Sequence, residues 1–288
     1  MKKIIMVIFG LILFATTAYG QCFRPYLEEG DKLRNQGRCE DAIKVYTKGM
    51  DCVDADIEVL NQRIALCRGG GTNTSSTTGK SCGSVKDYNG NTYKTVQIGS
   101  QCWMAENMRT TVDRDGRDIQ TGKGGSETSM YRYCPDGEQD NVPQYAYLYN
   151  WPAAVKICPK GWHLPTEADW TKLTDYLSSQ SKYTCGSKRD NIAKAMASTT
   201  GWMSKKNNDP CMVGNHPEFN NASGFNALPA GFNKMKYAYG LNYLACIWSA
   251  TSYSEKNAYF HVITISSPIV NILESNKAIG GSVRCVKD

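Results

Sequence analysis

Ile157-Cys158-Pro159-Lys160-Gly161-Trp162-His163-Leu164-Pro165-Thr166-Glu167-Ala168-Asp169-Trp170 is the stretch from which the fold is read. Thr166, followed three residues later by Asp169, approximates a capping box, and Pro165 limits the entry to the helix it opens. Trp170, Leu173 and Leu177 then fall on one helical face. Outward from this helix, Ile192–Ala197 predicts a second one. Runs at Ile247–Thr251, Tyr259–Ile265, Ile269–Leu273 and Ser282–Val286 have strand composition and predict a twisted antiparallel sheet packed on the two helices. Upstream, Val85 to Val96 alternates about Asn89-Gly90, the pattern of a hairpin. Two helices packed on an antiparallel sheet make the class α+β.

The twelve cysteines, at 22, 39, 52, 67, 82, 102, 134, 158, 185, 211, 246 and 285, are never closer than thirteen residues. That spacing excludes Cys-x-x-Cys redox pairs, zinc ribbons, haem attachment and ferredoxin clusters, which need ligands two to four residues apart. An even number spread through 288 residues predicts six structural disulfides in an oxidising compartment. The N-terminus agrees. Lys2 and Lys3, the apolar run Ile4–Ala15, and Ala18-Tyr19-Gly20 form a secretory signal over 1–20, whose twelve-residue apolar run is too short to span a bilayer. A lipid anchor on Cys22 is the rival reading, but Gln21 is not the small residue that acylation wants, and it would leave one cysteine unpaired. The chain is expected to be periplasmic, on the cell surface or secreted, with no transmembrane span. A formal charge of +6 is too mild for a nucleic-acid partner.

Residues 69–81 hold almost nothing that could dock and predict a tether, about 20 Å across for twelve flexible residues. Before it, residues 21–68 predict a small all-α module of three helices. The first carries Tyr26, Leu27 and Leu33, the second Ala42, Ile43, Val45 and Tyr46, and the third Ile57, Leu60, Ile64 and Leu66. Gly30, Leu33, Gly37, Ala42, Tyr46 and Gly49 resemble the small-and-large pattern of a tetratricopeptide repeat. Alternating helix directions would pair Cys22 with Cys52 and Cys39 with Cys67; Cys39 and Cys52, at opposite ends of one helix, lie about 20 Å apart and cannot bond.

After Cys82 the blocks Ile98-Gly99-Ser100-Gln101-Cys102-Trp103, Leu148-Tyr149-Asn150-Trp151, Gly161-Trp162-His163-Leu164-Pro165-Thr166, Gly224-Phe225-Asn226-Ala227-Leu228-Pro229, Ile247-Trp248-Ser249-Ala250-Thr251 and Gly281-Ser282-Val283-Arg284-Cys285-Val286 follow in order. Together they resemble the Fibrobacter succinogenes major paralogous domain (FISUMP) family from 82 to 288. The resemblance implies an exported bacterial domain without an established activity. Two of the blocks are also similar to formylglycine-generating enzymes, which implies a disulfide-braced C-type lectin-like fold. The copper-binding cysteine pair of those enzymes has no counterpart here, so their oxidase activity does not carry over. Cys158 and Cys285 stand in two family blocks and are expected to bridge; Cys82–Cys102 is expected across the hairpin. Cys134, Cys185, Cys211 and Cys246 are left unassigned.

No catalytic constellation stands out. His163, His216 and His261 lack helical zinc spacing, and His163, between Trp162 and Leu164, reads as a core histidine. Asp113 to Asp118 reads as a polar turn rather than a calcium loop. No enzyme, metal or cofactor is expected. Aromatic surface remains: 17 Tyr and 6 Trp against 7 Phe. Tyr145, Tyr147, Tyr149 and Trp151 alternate and would share one face of a strand. Trp103, Trp162 and Trp170 read as core. Tyr147, Tyr237, Tyr239, Tyr243 and Tyr253 are the candidate binding residues. The expected function is non-catalytic recognition or assembly at the cell surface, with an unidentified protein or glycan as partner. The alternative is a purely structural envelope protein.

Overall fold

The computed structural model describes residues 22–52, Leu60, Arg63, Ile64, Cys67, 80–122, 124–205 and 209–288. The expected signal sequence, nearly all of the tether and most of the third helix lie outside them. The chain divides into two units, Met1–Ser76 and Thr77–Asp288.

In the first unit, α1 (Phe23–Asn35) and α2 (Cys39–Gly49) form a helical hairpin turned at Gly37, whose φ is +76°. Their close approach is set by two glycines. A Cβ on Gly30 would lie 2.2 Å from the Tyr46 ring, and one on Gly49 would lie 2.8 Å from Tyr26. Tyr46 is buried there and donates its hydroxyl to Asp31 Oδ1 at 2.8 Å. Leu60 and Ile64 are also buried. A disulfide joins Cys22, before α1, to Cys52, beyond α2. The expected Cys39–Cys67 bond is not closed: both are thiols, with the Cys67 side chain hydrogen-bonded to Cys39. The two thiols lie within hydrogen-bonding reach of each other without a covalent bond.

The second unit carries three sheets where the sequence predicts one. The first has order β1-β2-β3-β13-β7, with β1 Ser84–Lys86, β2 Thr92–Ile98, β3 Gln101–Met104, β7 Trp162–His163 and β13 Val286–Lys287. A small one joins β4 (Gln120–Thr121), β5 (Tyr131–Tyr133) and β6 (Leu148–Tyr149). The largest has order β12-β11-β10-β8-β9, from β8 Ala230–Lys234, β9 Tyr237–Leu241, β10 Leu244–Ser252, β11 Asn257–Thr264 and β12 Asn271–Asn276. Pairing is mixed: β4 with β5, and β10 with β8, are parallel.

The Ser282–Val286 run does not extend the large sheet. Ser282 bridges Ile247, after which the chain crosses over and Val286 pairs with Trp103 and His163 in the first sheet. The Val85–Val96 hairpin forms, with a longer turn than Asn89-Gly90 alone. Asp87 holds it, accepting from the Asn91 backbone at 2.9 Å and the Tyr93 hydroxyl at 2.6 Å.

Strands β10 and β11 separate two cores. Trp248, Phe260 and Val262 face one side with Met104 and Cys285; Ile247 and Ile263 face the other with Trp103 and Phe225. Burial on both faces explains why these strands read as apolar runs rather than alternations. Over the second core lies α3 (Glu167–Ser178), contributing Trp170, Leu173 and Leu177. Its capping box is formed in both directions between Thr166 and Asp169. The second expected helix is a single turn, Ala193–Met196, because Ala197 turns extended to bridge Ala227. Trp103, Trp162 and Trp170 are all buried.

Four disulfides form among the described residues where six were expected along the chain. Besides Cys22–Cys52 they are Cys82–Cys102, Cys158–Cys285 and Cys185–Cys211. Cys134 and Cys246 are thiols. Cys246 is enclosed by the first core, and burial pushes its pKa up to about 12.

Candidate functional site

The β8–β9 hairpin brings two exposed tyrosines together, Tyr237 and Tyr239. Lys234 is paired with Tyr237 and Phe232 with Tyr239, so directly opposed side chains place all four on one face. Tyr239 stacks on Phe232 with centroids 5.3 Å apart, and the Lys236 ammonium lies 5.2 Å above the Tyr237 ring. Tyr237 is 56% exposed and Tyr239 46%. At the tip, Met235 is exposed and holds φ +58°, a left-handed backbone that methionine seldom adopts and that marks a strained, functionally suspect position. At the base, Gly231 is obligatory, since a Cβ there would lie 2.2 Å from the Tyr239 carbonyl oxygen.

Beside the tip opens a cleft of about 680 Å³, walled by Lys234 and Met235, by the loop carrying Ser126 and Glu127, and by Asn276 and Ile279. Asn276 Nδ2 donates to Glu127 Oε1 at 2.7 Å, fixing the carboxylate at the rim. The cleft thus presents an ammonium, a carboxylate and apolar surface next to two tyrosines, a set suited to holding an amphipathic ligand rather than to breaking bonds. Sequence reasoning found Tyr237 and Tyr239 but missed Lys234, Met235 and Glu127. The short polar Asn233–Lys236 stretch between two aromatic runs was the available signal for the hairpin.

The other candidate tyrosines are dispersed. Tyr243 is exposed in the turn between β9 and β10. Tyr253, beyond β10, packs edge-on against Tyr259 and hydrogen-bonds Glu274, whose charge raises its pKa. Tyr147 is half-buried, its hydroxyl 3.2 Å from Gln139 Nε2 and its ring 5.4 Å from the Arg132 guanidinium. The alternating run around it is not one strand: only Leu148–Tyr149 is extended, as β6. Tyr145 ends a helical turn begun at Val142, Ala146 flips to φ +67°, and Trp151 opens another turn, so Tyr145 and Tyr149 point into the core.

Each histidine is engaged with a carboxylate. His261 lies flat on Trp170, centroids 4.0 Å apart, and its Nε2 meets Glu167 Oε1 at 2.9 Å; its Nδ1 has no hydrogen-bond partner among the described residues. Burial opposes the charge on Glu167, yet hydrogen bonds from His261 and Ser249 lower its pKa. His216 pairs with Glu218 at 3.0 Å. His163 is half-exposed rather than core, its Nδ1 2.7 Å from Asp288 Oδ1 and its Nε2 3.2 Å from Asp169 Oδ2. Among the described residues no three His, Cys, Asp or Glu side chains group to hold a metal ion. In the Asp113–Asp118 turn, Asp113 accepts from the backbone of Asp115 and Arg117, each at 2.9 Å, and from Arg117 Nε at 2.8 Å.

No described helix is long and apolar enough to cross a membrane. Comparison with curated proteins and with solved structures finds no match. The model of the Fibrobacter succinogenes major domain matches residues 96–287, which contain the whole hairpin and cleft, and the chain belongs to that family.

Proposed function

We propose that this is an exported, non-catalytic recognition module of the bacterial envelope or surface, binding a protein or glycan on the β8–β9 hairpin and its cleft. The observation that carries the reading is the pairing of Tyr237 and Tyr239 on one exposed face beside that cleft. Tyrosines of this kind supply large contact area with a polar tip at little entropic cost. The disulfides fit an oxidising compartment. The same reading takes the second unit as C-type lectin-like and the first as a tetratricopeptide-like spacer holding it away from its attachment.

The test is glycan-array and envelope-fraction binding with the full chain. Alanine at both Tyr237 and Tyr239 is expected to lower affinity at least about tenfold, with the near-UV circular dichroism unchanged. Tyr253→Ala should bind as the parent does. Well-folded parent protein that binds neither glycans nor envelope proteins would favour a purely structural role.

A further inference from the structure

Cys134 is a half-buried thiol just beyond β5, in a unit whose other described thiol, Cys246, is enclosed by the first core. It does not stand alone. The register that pairs Arg132 with Tyr149 and Tyr133 with Leu148, continued by one pair, sets Cys134 opposite Tyr147. Beyond Cys134 the chain doubles back through Asp136 and Gly137, which hold consecutive left-handed backbones with φ +55° and +77°. Asn141 Nδ2 ties this turn by donating to the Pro135 carbonyl at 3.0 Å. The return brings the Gln139 side-chain amide onto the sulfur. The thiol donates to Gln139 Oε1 at 3.2 Å, and Gln139 Nε2 donates to the Tyr147 hydroxyl at 3.2 Å. A nucleophile, an acyl group and a hydroxyl at the nitrogen that would leave are thus in one chain of contacts.

Burial pushes the Cys134 thiol up against the opposing charge of Arg132, so the proton stays on sulfur and is directed at the amide. A C=O bond is about 1.23 Å, which puts the sulfur within about 4.4 Å of Gln139 Cδ, a short approach from the roughly 3.5 Å of attack. The sulfur adds to Cδ, the Cδ–Nε2 bond breaks, and the thiol proton departs on ammonia, so no oxidant or reductant is needed. Gln139 is exposed, and a primary amine can reach the thioester so formed. The amine nitrogen adds to Cδ, the C–S bond breaks, an amide forms, and the proton of the amine returns to sulfur. We propose that Cys134 and Gln139 condense to an internal thioester with which the module acylates a primary amine on its ligand. The turn at Pro135–Gly137 packs against β8 and β9, so the acyl group neighbours the hairpin of Tyr237 and Tyr239. Formation of the thioester is independent of what that hairpin binds; its use on a bound ligand rests on the recognition reading. Each molecule couples once, so this is stoichiometric attachment rather than turnover.

The intact mass of the full chain, freshly purified without added thiol, tests the step. The parent should be about 17 Da lighter than its disulfide-bonded sequence, the mass of the ammonia lost, and peptide mapping should join 134 to 139. Methylamine should add at Gln139 and release a titratable thiol at Cys134. Cys134→Ala and Gln139→Glu, with unchanged circular dichroism, should each abolish both the deficit and the uptake. That pair of controls separates this loss of ammonia from one at Asn89-Gly90. A parent of undiminished mass with a titratable Cys134, a deficit that survives either variant, or a disulfide from Cys134 would overturn the proposal. Binding through Tyr237 and Tyr239 without the deficit would leave recognition standing and refute the thioester. A chain that takes up methylamine but binds neither glycans nor envelope proteins would do the reverse.

Discussion

Arg284 is fully buried, and its hydrogen bonds among the described residues go to amide and carbonyl oxygens rather than to a carboxylate. Its guanidinium spends its donors on oxygens of two segments, 104–107 and 225–226: Nε to Asn107 Oδ1 at 2.7 Å, Nη1 to the Met104 and Phe225 carbonyls, and Nη2 to the Asn226 carbonyl at 2.6 Å. Burial pulls its pKa down, while five oriented donors on one plane make it a rivet that lysine cannot imitate. Arg284→Lys is expected to cost about 3 kcal/mol or more in chemical denaturation, because several buried carbonyls lose their partners. His163 is the opposite case, half-exposed and titratable. Burial disfavours its charge, but its hydrogen bonds to Asp288 and Asp169 outweigh that and raise its pKa. A neutral imidazole has one N–H, so only the cation can donate to both carboxylates. Its stabilising contribution is complete below the unfolded value near 6.5 and fades as pH climbs through the raised folded value. Urea midpoints of parent and His163→Gln should accordingly differ most at pH 5.5 and converge by pH 9. Asp169, with its pKa lowered, gives the converse edge, losing its contribution only as pH falls below the ordinary carboxylate range.

Among the elements, α1 and α2 show how little a helical hairpin needs when two glycines admit two tyrosine rings. With Cys39 and Cys67 already in hydrogen-bonding contact, glutathione disulfide is expected to close this pair before any other, releasing two glutathione thiols. Peptide mapping under non-reducing conditions identifies the product, and a first bridge to Cys134 would contradict it. Cys246 should stay unmodified until denaturant is added, since burial keeps its thiol protonated. How much of this was legible depends on range. The capping box, the helix behind Thr166 and the hairpin at Asp87–Asn91 are encoded within a few residues and could be read. The Tyr145–Trp151 alternation misled because Pro143 and Pro152 favour helical turns and Ala146 adopts a left-handed conformation, all of which outweigh a period of two. Assortment of strands into three sheets was hidden, since a strand's pattern tells which face is buried and not which neighbour it takes. The site was half visible for the same reason. Tyrosine content pointed to Tyr237 and Tyr239, while Glu127 reaches the cleft only through a partner 149 residues away.

For the whole second unit, the staples differ in reach. Cys158–Cys285 spans 127 residues and Cys185–Cys211 spans 26. Loop-closure entropy grows with length, so replacing both cysteines by serine should cost about 4 kcal/mol or more for the long bridge and about 3 for the short one, read from denaturation midpoints. The ordering follows from the two loop lengths. Equal losses would show that native packing, not closure, sets the value.

The first sheet holds both the beginning and the end of this unit: β1 and β13 are three strand spacings apart in the order β1-β2-β3-β13-β7. At about 4.8 Å per strand that is a gap of some 15 Å, which a linker of about six residues spans. A circular permutant that fuses 288 to 80 and opens in the exposed loop at 124–129 should therefore fold. Neighbouring ends also make the unit a cassette: inserted into a surface loop of a host protein, it would protrude without prying the host apart.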